Sequence, residues 1–375
     1  NRARASLAAM HGLGLGGFLA LGFTLVAFLI PDGLFRLLGS GPGILPHIRE
    51  YSQILFGVSA ITFTLMVGTS ILRGVGDMLT PLIAAVASGF VYVVAAPLLA
   101  LGWFGTPLGL GGLALAQSAA TLVGAAVIIR PIFGPKALLP LCWDGLRIDM
   151  GVLREILSVG APTFFSYGAI TSGLACLTAI VAQFGMEATA AYGIGFRLVT
   201  VLFIPAIGVS QAVLTLVGHL TGSAELRRAR RASWFAIHGT LIGMTLFGSA
   251  MAFWADSLVR LFADDPAVID LACAYVRTVG PAMGCAGAAM VVGSCFQGFG
   301  RGLPALVLTV FRFSAITLPL AYFLSGTLGL GAKGVWVAIA LAGISTGFVG
   351  IIWFARAIRR TWPVVPPISD WVPVS

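Results

Sequence analysis

Apolar stretches about twenty residues long recur along this chain, and few folds can be built from them. Ten are read, near 10–30, 51–72, 79–103, 110–129, 156–182, 188–218, 234–255, 267–296, 303–324 and 334–355. Each is long enough to cross a hydrocarbon core about 30 Å thick as a helix. A membrane barrel would instead show strands of about ten residues that alternate apolar and polar. A spanning segment must satisfy its own backbone hydrogen bonds in lipid, which leaves the α-helix. Composition agrees, because only 9% of the 375 residues are charged and the mean hydropathy is +1.01. A soluble domain carries about 25% charged residues.

The charge that exists sits between the apolar runs. A net charge of +9 would ordinarily raise the question of nucleic acid, but the basic residues form short clusters where membrane topology uses them. With loops assigned to alternating sides, Arg36, Arg49, Arg197, Arg260, Arg277 and Lys333 fall on one side and Arg312 falls inside a segment. The remaining fifteen of the 22 Lys and Arg fall on the other side, which is therefore expected to be cytoplasmic, with the C-terminus there too. The expected location is the inner (plasma) membrane, with the lipid bilayer as partner and no nucleic acid. The five cysteines, Cys142, Cys176, Cys273, Cys285 and Cys295, contain no CxxC pair; the four in apolar runs read as small buried hydrophobes. Asn1, Arg2 and Arg4 ahead of an apolar run have the outline of a signal peptide, but an internal repeat accounts for them better.

That repeat emerges on shifting the chain by 224 residues. Leu34, Arg36 and Leu37 meet Leu258, Arg260 and Leu261; Pro42 meets Pro266; Tyr51 meets Tyr275; Ser70, Gly74 and Gly76 meet Ser294, Gly298 and Gly300. A shift of 227 aligns Arg4-Ala5-Ser6 with Arg231-Ala232-Ser233, and one of 222 aligns Gly109 and Gly112 with Gly331 and Gly334. Residue 1 thus corresponds to residue 228, while the second copy begins near 152, so about 76 residues of the first copy, room for two helices, are expected upstream. The expected fold is an all-α polytopic membrane protein. It has two six-helix bundles related by a parallel pseudo-two-fold, with ten helices present. Residues 1–150 form the incomplete N-terminal bundle (helices three to six) and 151–375 the C-terminal bundle (helices seven to twelve). Transporters of this kind place substrate between their halves.

Residues 72–81, Leu-Arg-Gly-Val-Gly-Asp-Met-Leu-Thr-Pro, resemble the L-R-G-x-G-D-x-x-T-P signature of the multidrug and toxic compound extrusion (MATE) family. The stretch Tyr192-Gly193-Ile194-Gly195-Phe196-Arg197, then Pro205-Ala206-Ile207-Gly208, Leu216-Val217-Gly218-His219 and Arg230-Arg231-Ala232, is also similar to the family. So is Gly160-Ala161-Pro162, while His219 and Ser223 stand where Gln and Ala are usual. The resemblance covers essentially the whole chain as helices three to twelve. It implies export of organic cations and drugs in exchange for inward H⁺ or Na⁺. Sodium-coupled members carry acids at places that align with Ile170 and Ala286, which argues against a sodium site of that kind. The acid of proton-coupled members lies on helix one, upstream of residue 1.

Several residues have a functional and a plainer reading. Arg73 and Asp77 could latch a cytoplasmic gate, or set topology at a helix end. Arg197 could pair with a titrating acid on helix one, or snorkel to the interface; Arg312 reads more as snorkelling than as a substrate contact. Pro97, Pro162, Pro205, Pro281 and Pro319 fall inside segments, and Pro162 and Pro205 are the hinge candidates. Phe164, Phe165, Tyr167, Tyr192 and Phe196 could stack on flat cations, or face lipid and neighbouring helices. Gln117, Gln183 and Gln297 are polar candidates for the path. Gly12-x-Gly14-x-x-Gly17 matches a dinucleotide fingerprint on paper, but it lacks a preceding strand and reads as close helix packing. No phosphate-binding G-x-x-x-x-G-K-[ST] occurs, and His11, His47, His219 and His238 show no metal spacing. Neither an enzyme, a cofactor nor a metal is expected. The reading is a secondary antiporter for organic cations coupled to H⁺, less readily to Na⁺. A lipid-linked precursor flippase of the same superfamily, or a truncated non-transporting membrane protein, are the alternatives.

Overall fold

The computed structural model describes residues 2–29, 45–102, 108–134 and 149–361. The expectations for Leu34, Arg36, Leu37, Pro42, Cys142, Lys136 and most of the 130–150 linker lie outside the described residues. Every regular element among the described residues is helical. Nine helices among the described residues are long and apolar enough to span a membrane, and a bent pair, Ile48–Gly57 plus Ser59–Gly74, makes a tenth if it crosses as one span. The chain folds as two compact units, Asn1–Ile156 and Leu157–Ser375.

The first unit contains α1 (Arg2–Leu29), α2 (Leu45–Gly57), α3 (Ser59–Gly74), α4 (Leu79–Ala100) and α5 (Gly109–Phe133). The segment read as one helix over 51–72 is bent by 52° at Val58. A break frees backbone carbonyls, which lipid cannot satisfy. A hydroxyl takes over at the break: Thr24 Oγ1 donates to the Phe56 carbonyl (3.0 Å), while Ser59 Oγ, 2.6 Å from Thr24 Oγ1, ties the bend to α1 by donating to the Ala20 carbonyl (3.1 Å). Leu72, Ala84, Ile128 and Ile132 form the buried core of α3, α4 and α5. The glycines of α1 pack through Gly12 and Gly16, whose added Cβ atoms would lie 3.5 and 3.1 Å from Val67, whereas Gly14 and Gly17 face open space. The contact is therefore a G-x-x-x-G face one residue out of step with the expected pattern. His11 ties α1 to a residue far along the chain, just ahead of the helix that begins at Met150: Nδ1 bonds the Leu7 carbonyl (2.9 Å) and Nε2 accepts from the Asp149 amide (3.0 Å).

The second unit is built around α10 (Pro266–Gly298), whose span is largely buried inside the unit. Around it stand α7 (Met186–Gly222), α8 (Leu226–Phe253) and α12 (Gly331–Thr361), with short α9 (Ala255–Val259), α11 (Leu303–Thr327) and all but the first two turns of α6 (Met150–Ala182) completing the set. Helices in lipid gain nothing from hiding apolar surface and associate through close packing, which favours small residues. An added Cβ at Gly284 would come within 2.6 Å of the Leu241 carbonyl; one at Gly347 would lie equally close to the Cys285 carbonyl. α11 is not a uniform helix: Phe311–Thr317 and Phe323–Thr327 are π-helical and flank Leu318–Tyr322, which holds Pro319. The wider turns accommodate the missing proline donor, and Thr317 Oγ1 donates to the Arg312 carbonyl (2.6 Å). Cys273 and Cys295 are buried as expected, but Cys176 is exposed and Cys285, although its backbone lies against Gly347, is only half-buried.

The duplication is visible in backbone geometry. At the end of α3 the Asp77 amide donates to Leu72 O (2.9 Å) and the Gly76 amide to Arg73 O (3.0 Å). At the 224-residue offset, Arg301 N donates to Phe296 O and Gly300 N to Gln297 O, both at 2.8 Å. Both glycines are left-handed, with φ 91° at Gly76 and 75° at Gly300, the Schellman closure of a helix end. The other hairpin repeats too. Gly112 packs on the backbone of Leu99 and Ala100, and Gly334 on that of Leu324 and Ser325, through a connection three residues shorter in the second copy.

Candidate functional site

The sequence-derived candidates separate into faces of individual spans. On α6, Phe164, Phe165 and Tyr167 are exposed on the surface of their unit (73%, 61% and 63%). Phe164 and Phe165 meet edge to face at 5.5 Å. About one turn beyond Tyr167 the helix exposes Thr171 and Ser172, whose hydroxyls bond the Tyr167 and Gly168 carbonyls (3.0 and 2.9 Å). An aromatic and hydroxyl stripe thus runs along a span, and the sequence reading passed over its hydroxyl half. Gln117 is exposed on α5 about a third of the way along the span. Gln183 is exposed too, but in the α6–α7 turn, where its amide bonds Ile180 O (3.3 Å).

Tyr192 and Phe196 lie elsewhere. Tyr192 is 7% exposed, stacked on Trp336 (5.7 Å, 6° between planes) and edge-on to Tyr275 at 5.9 Å. Tyr275 meets Trp336 edge-on at 4.9 Å, so three rings from α7, α10 and α12 form one packed cluster. Tyr275 also fills the place where Gly195 has no side chain. Phe196, 37% exposed, sits on the rim at 5.9 Å from Tyr192. Arg197 is exposed one residue on. Arg312 is half-buried on the π-helical stretch of α11, with its guanidinium carbon 5.4 Å from the Phe313 centroid. α6 and α7 run through Pro162 and Pro205 as single helices. Gln297, the repeat counterpart of Arg73, donates to Thr163 Oγ1 at 3.3 Å and ties α10 to α6.

Arg73 and Asp77 flank the turn between α3 and α4. Asp77 accepts from the Leu79 amide (3.1 Å), the Thr80 amide (3.0 Å) and the Thr80 hydroxyl (2.6 Å). It therefore caps the first turn of α4. The Thr80 hydroxyl, then its amide, hold the carboxyl below the ordinary carboxylate range against a smaller opposing effect of burial. Glu50 on α2 is a further carboxylate beside a span: its oxygen would lie 2.6 Å from a Cβ at Gly111, in the first turn of α5.

Helices of this number and length, packed through small residues and duplicated, define a polytopic helical membrane protein. The chain belongs to the MatE family, which it matches over residues 1–98 and 162–323. Among its relatives, a probable multidrug resistance protein NorM of Thermotoga maritima is 27% identical over 301 residues. The alignment takes in 78% of this chain and 63% of that protein, so the chain spans under two thirds of that relative. An FAD transporter of Shewanella oneidensis is 27% identical over 364 residues, covering 94% of this chain and 78% of that one. The same fold is seen in a MOP superfamily transporter from Pyrococcus furiosus, with TM-score 0.89 at 24% identity over 95% of this chain and 79% of that one.

Proposed function

We propose that the chain is the greater part of a secondary antiporter that exports organic cations and drugs in exchange for inward H⁺, less readily Na⁺. The observation that carries this reading is the exposed face of α6, where Phe164 and Tyr167 are followed by Thr171 and Ser172. Lipid selects for apolar side chains, whereas a wall of rings and hydroxyls suits flat, amphipathic cations that need stacking and a few hydrogen bonds. Gln117 extends the same chemistry on α5. The probable multidrug resistance relative supports the substrate class. Exposed Arg197 is assigned to the ion path, paired with a carboxylate upstream of residue 1 that titrates during transport. The Arg73–Asp77 turn is assigned to the cytoplasmic end, and Pro162 and Pro205 to bending of α6 and α7. Residues 1–150 and 151–375 serve as the two halves that rock around substrate in the inner membrane, with the C-terminus cytoplasmic.

A second reading has its own observation. The FAD transporter matches 94% of the chain, and a flavin ring would stack on the same aromatics.

Everted vesicles carrying the full-length protein decide between them. Ethidium uptake driven by a proton gradient and abolished by Arg197→Ala is the expected result. Uptake driven by sodium alone overturns the proton assignment. If neither gradient moves the cation, cation export is wrong; FAD accumulation in the same vesicles then favours the flavin reading, and its absence leaves lipid-precursor flipping as the activity to assay.

A further inference from the structure

The first turns of α8 carry a basic groove outside the transport path proposed above. It is a shallow, open groove along one helical stripe: Arg227, Arg230 and Arg231, then Trp234 and Phe235, then His238 and Ile242, with about 760 Å³ of space beside it. The spacing of three and four residues puts all of them on the face opposite Ala229, Ser233, Ile237 and Thr240, which are buried. Arg228 points its charge elsewhere, into an ion pair with Glu225 at 2.6 Å. Arg227, Arg230 and Arg231 are exposed and have no hydrogen bond or ion pair among the described residues. Three cations line one groove with no acid to meet them among the described residues.

Depth sorts the chemistry. α8 is a spanning helix, and at 1.5 Å per residue Ile242 lies about 22 Å along its axis from Arg227. Trp234 lies between, fixed by its ring contact with His238 (5.3 Å) and its edge contact with Phe354 (5.5 Å). Beyond it Phe235 and Ile242 are exposed (82% and 58%). Charge at the membrane surface, an aromatic at the interface and apolar side chains below follow the order of a phospholipid: phosphate, glycerol, acyl chain.

We propose that this groove is a binding site for an anionic phospholipid, with phosphate held by Arg227, Arg230 and Arg231 and an acyl chain lying along Phe235 and Ile242. The arginines repel the cations proposed as cargo. A second copy of the chain on this face would set arginine against arginine. A small soluble anion would leave the apolar half uncovered.

Native mass spectrometry of the detergent-purified full-length protein tests this with added phosphatidylglycerol or phosphatidylcholine. Wild type is expected to retain phosphatidylglycerol at about ten-fold lower concentration than phosphatidylcholine. The triple variant Arg227→Gln/Arg230→Gln/Arg231→Gln is expected to bring the two lipids within about two-fold, while Arg356→Gln/Arg359→Gln, also on exposed arginines, keeps the preference. A triple variant that keeps the preference, a control pair that loses it equally, or displacement of the lipid by inorganic phosphate overturns the proposal. Tryptophan quenching by brominated lipids gives a measurement that does not depend on the triple variant folding. Brominated phosphatidylglycerol should quench wild type more than brominated phosphatidylcholine, and Trp234→Phe should remove the difference. Equal quenching by both lipids in wild type, or a difference that survives in Trp234→Phe, overturns the proposal as well.

Discussion

Replacing Gly284 by alanine should loosen the second unit, and a matched alanine elsewhere should not. At Gly284 a Cβ would meet the Leu241 carbonyl at 2.6 Å and Thr245 Cβ at 3.0 Å. Thr245 can rotate its hydroxyl aside, but the carbonyl belongs to the backbone of α8 and is committed to the helix, so α8 and α10 must separate. Overpacking of this size costs about 1–3 kcal/mol. Alanine also favours a helix over glycine by about 1 kcal/mol, which would hide part of the effect. Gly243 removes that ambiguity, because it is also inside a helix and a Cβ there meets nothing within 4 Å. Gly243→Ala gains the helix preference alone, so the gap between the two variants isolates the steric term at about 1–3 kcal/mol. At about 2–4 °C per kcal/mol, the melting temperatures of the detergent-solubilised variants should differ by roughly 2–12 °C, with Gly284→Ala the lower. Size-exclusion thermostability curves read this directly. Equal melting temperatures, or Gly284→Ala the higher, would show that α8 and α10 do not cross in backbone contact at this point.

Ala224 holds a left-handed backbone (φ 61°), the only such non-glycine residue described, at a helix end where Gly76 and Gly300 do the same work. Ala224→Gly relieves about 1–2 kcal/mol of strain and returns about 0.5–1 kcal/mol to unfolded-chain entropy, whereas Gly300→Ala loses about as much as Ala224→Gly gains; thermal shifts of the same sign refute this. Asp77→Ala should cost about 1 kcal/mol as a lost cap while Asp77→Asn, which still accepts from the amides, stays near wild type in both stability and transport. Because the Asp77 carboxyl is held low, its contribution is complete above the usual carboxylate range and is lost progressively as pH falls through that range towards the lower folded value; melting curves should therefore show a constant difference between Asp77→Ala and wild type from about pH 7 to 5 and a shrinking one below. A transport defect in Asp77→Asn at unchanged stability would favour a gate instead.

Much of this was written along the chain. Spans follow from length and apolarity, because backbone groups in lipid must bond within their own helix. The duplication follows from matches at Gly74 and Gly76 with Gly298 and Gly300, and the structure returns it as the same helix closure in both copies. What the sequence could not carry is which face of a span is buried. In water a helix declares its inner face by alternation of apolar and polar residues; in lipid both faces are apolar, and that signal is gone. Tyr167 and Tyr192 were indistinguishable as ring-bearing residues of spans, yet one is exposed on α6 and the other is enclosed by Tyr275 and Trp336, 83 and 144 residues away. The bend at Val58 was invisible for a related reason: it persists because Thr24, on another helix, supplies the hydroxyl that the broken turn needs. Local sequence determined that these segments are helices and that they come in two copies. Tertiary structure alone decided which side chains became core and which remained free to meet lipid or cargo, since that depends on partners distant along the chain.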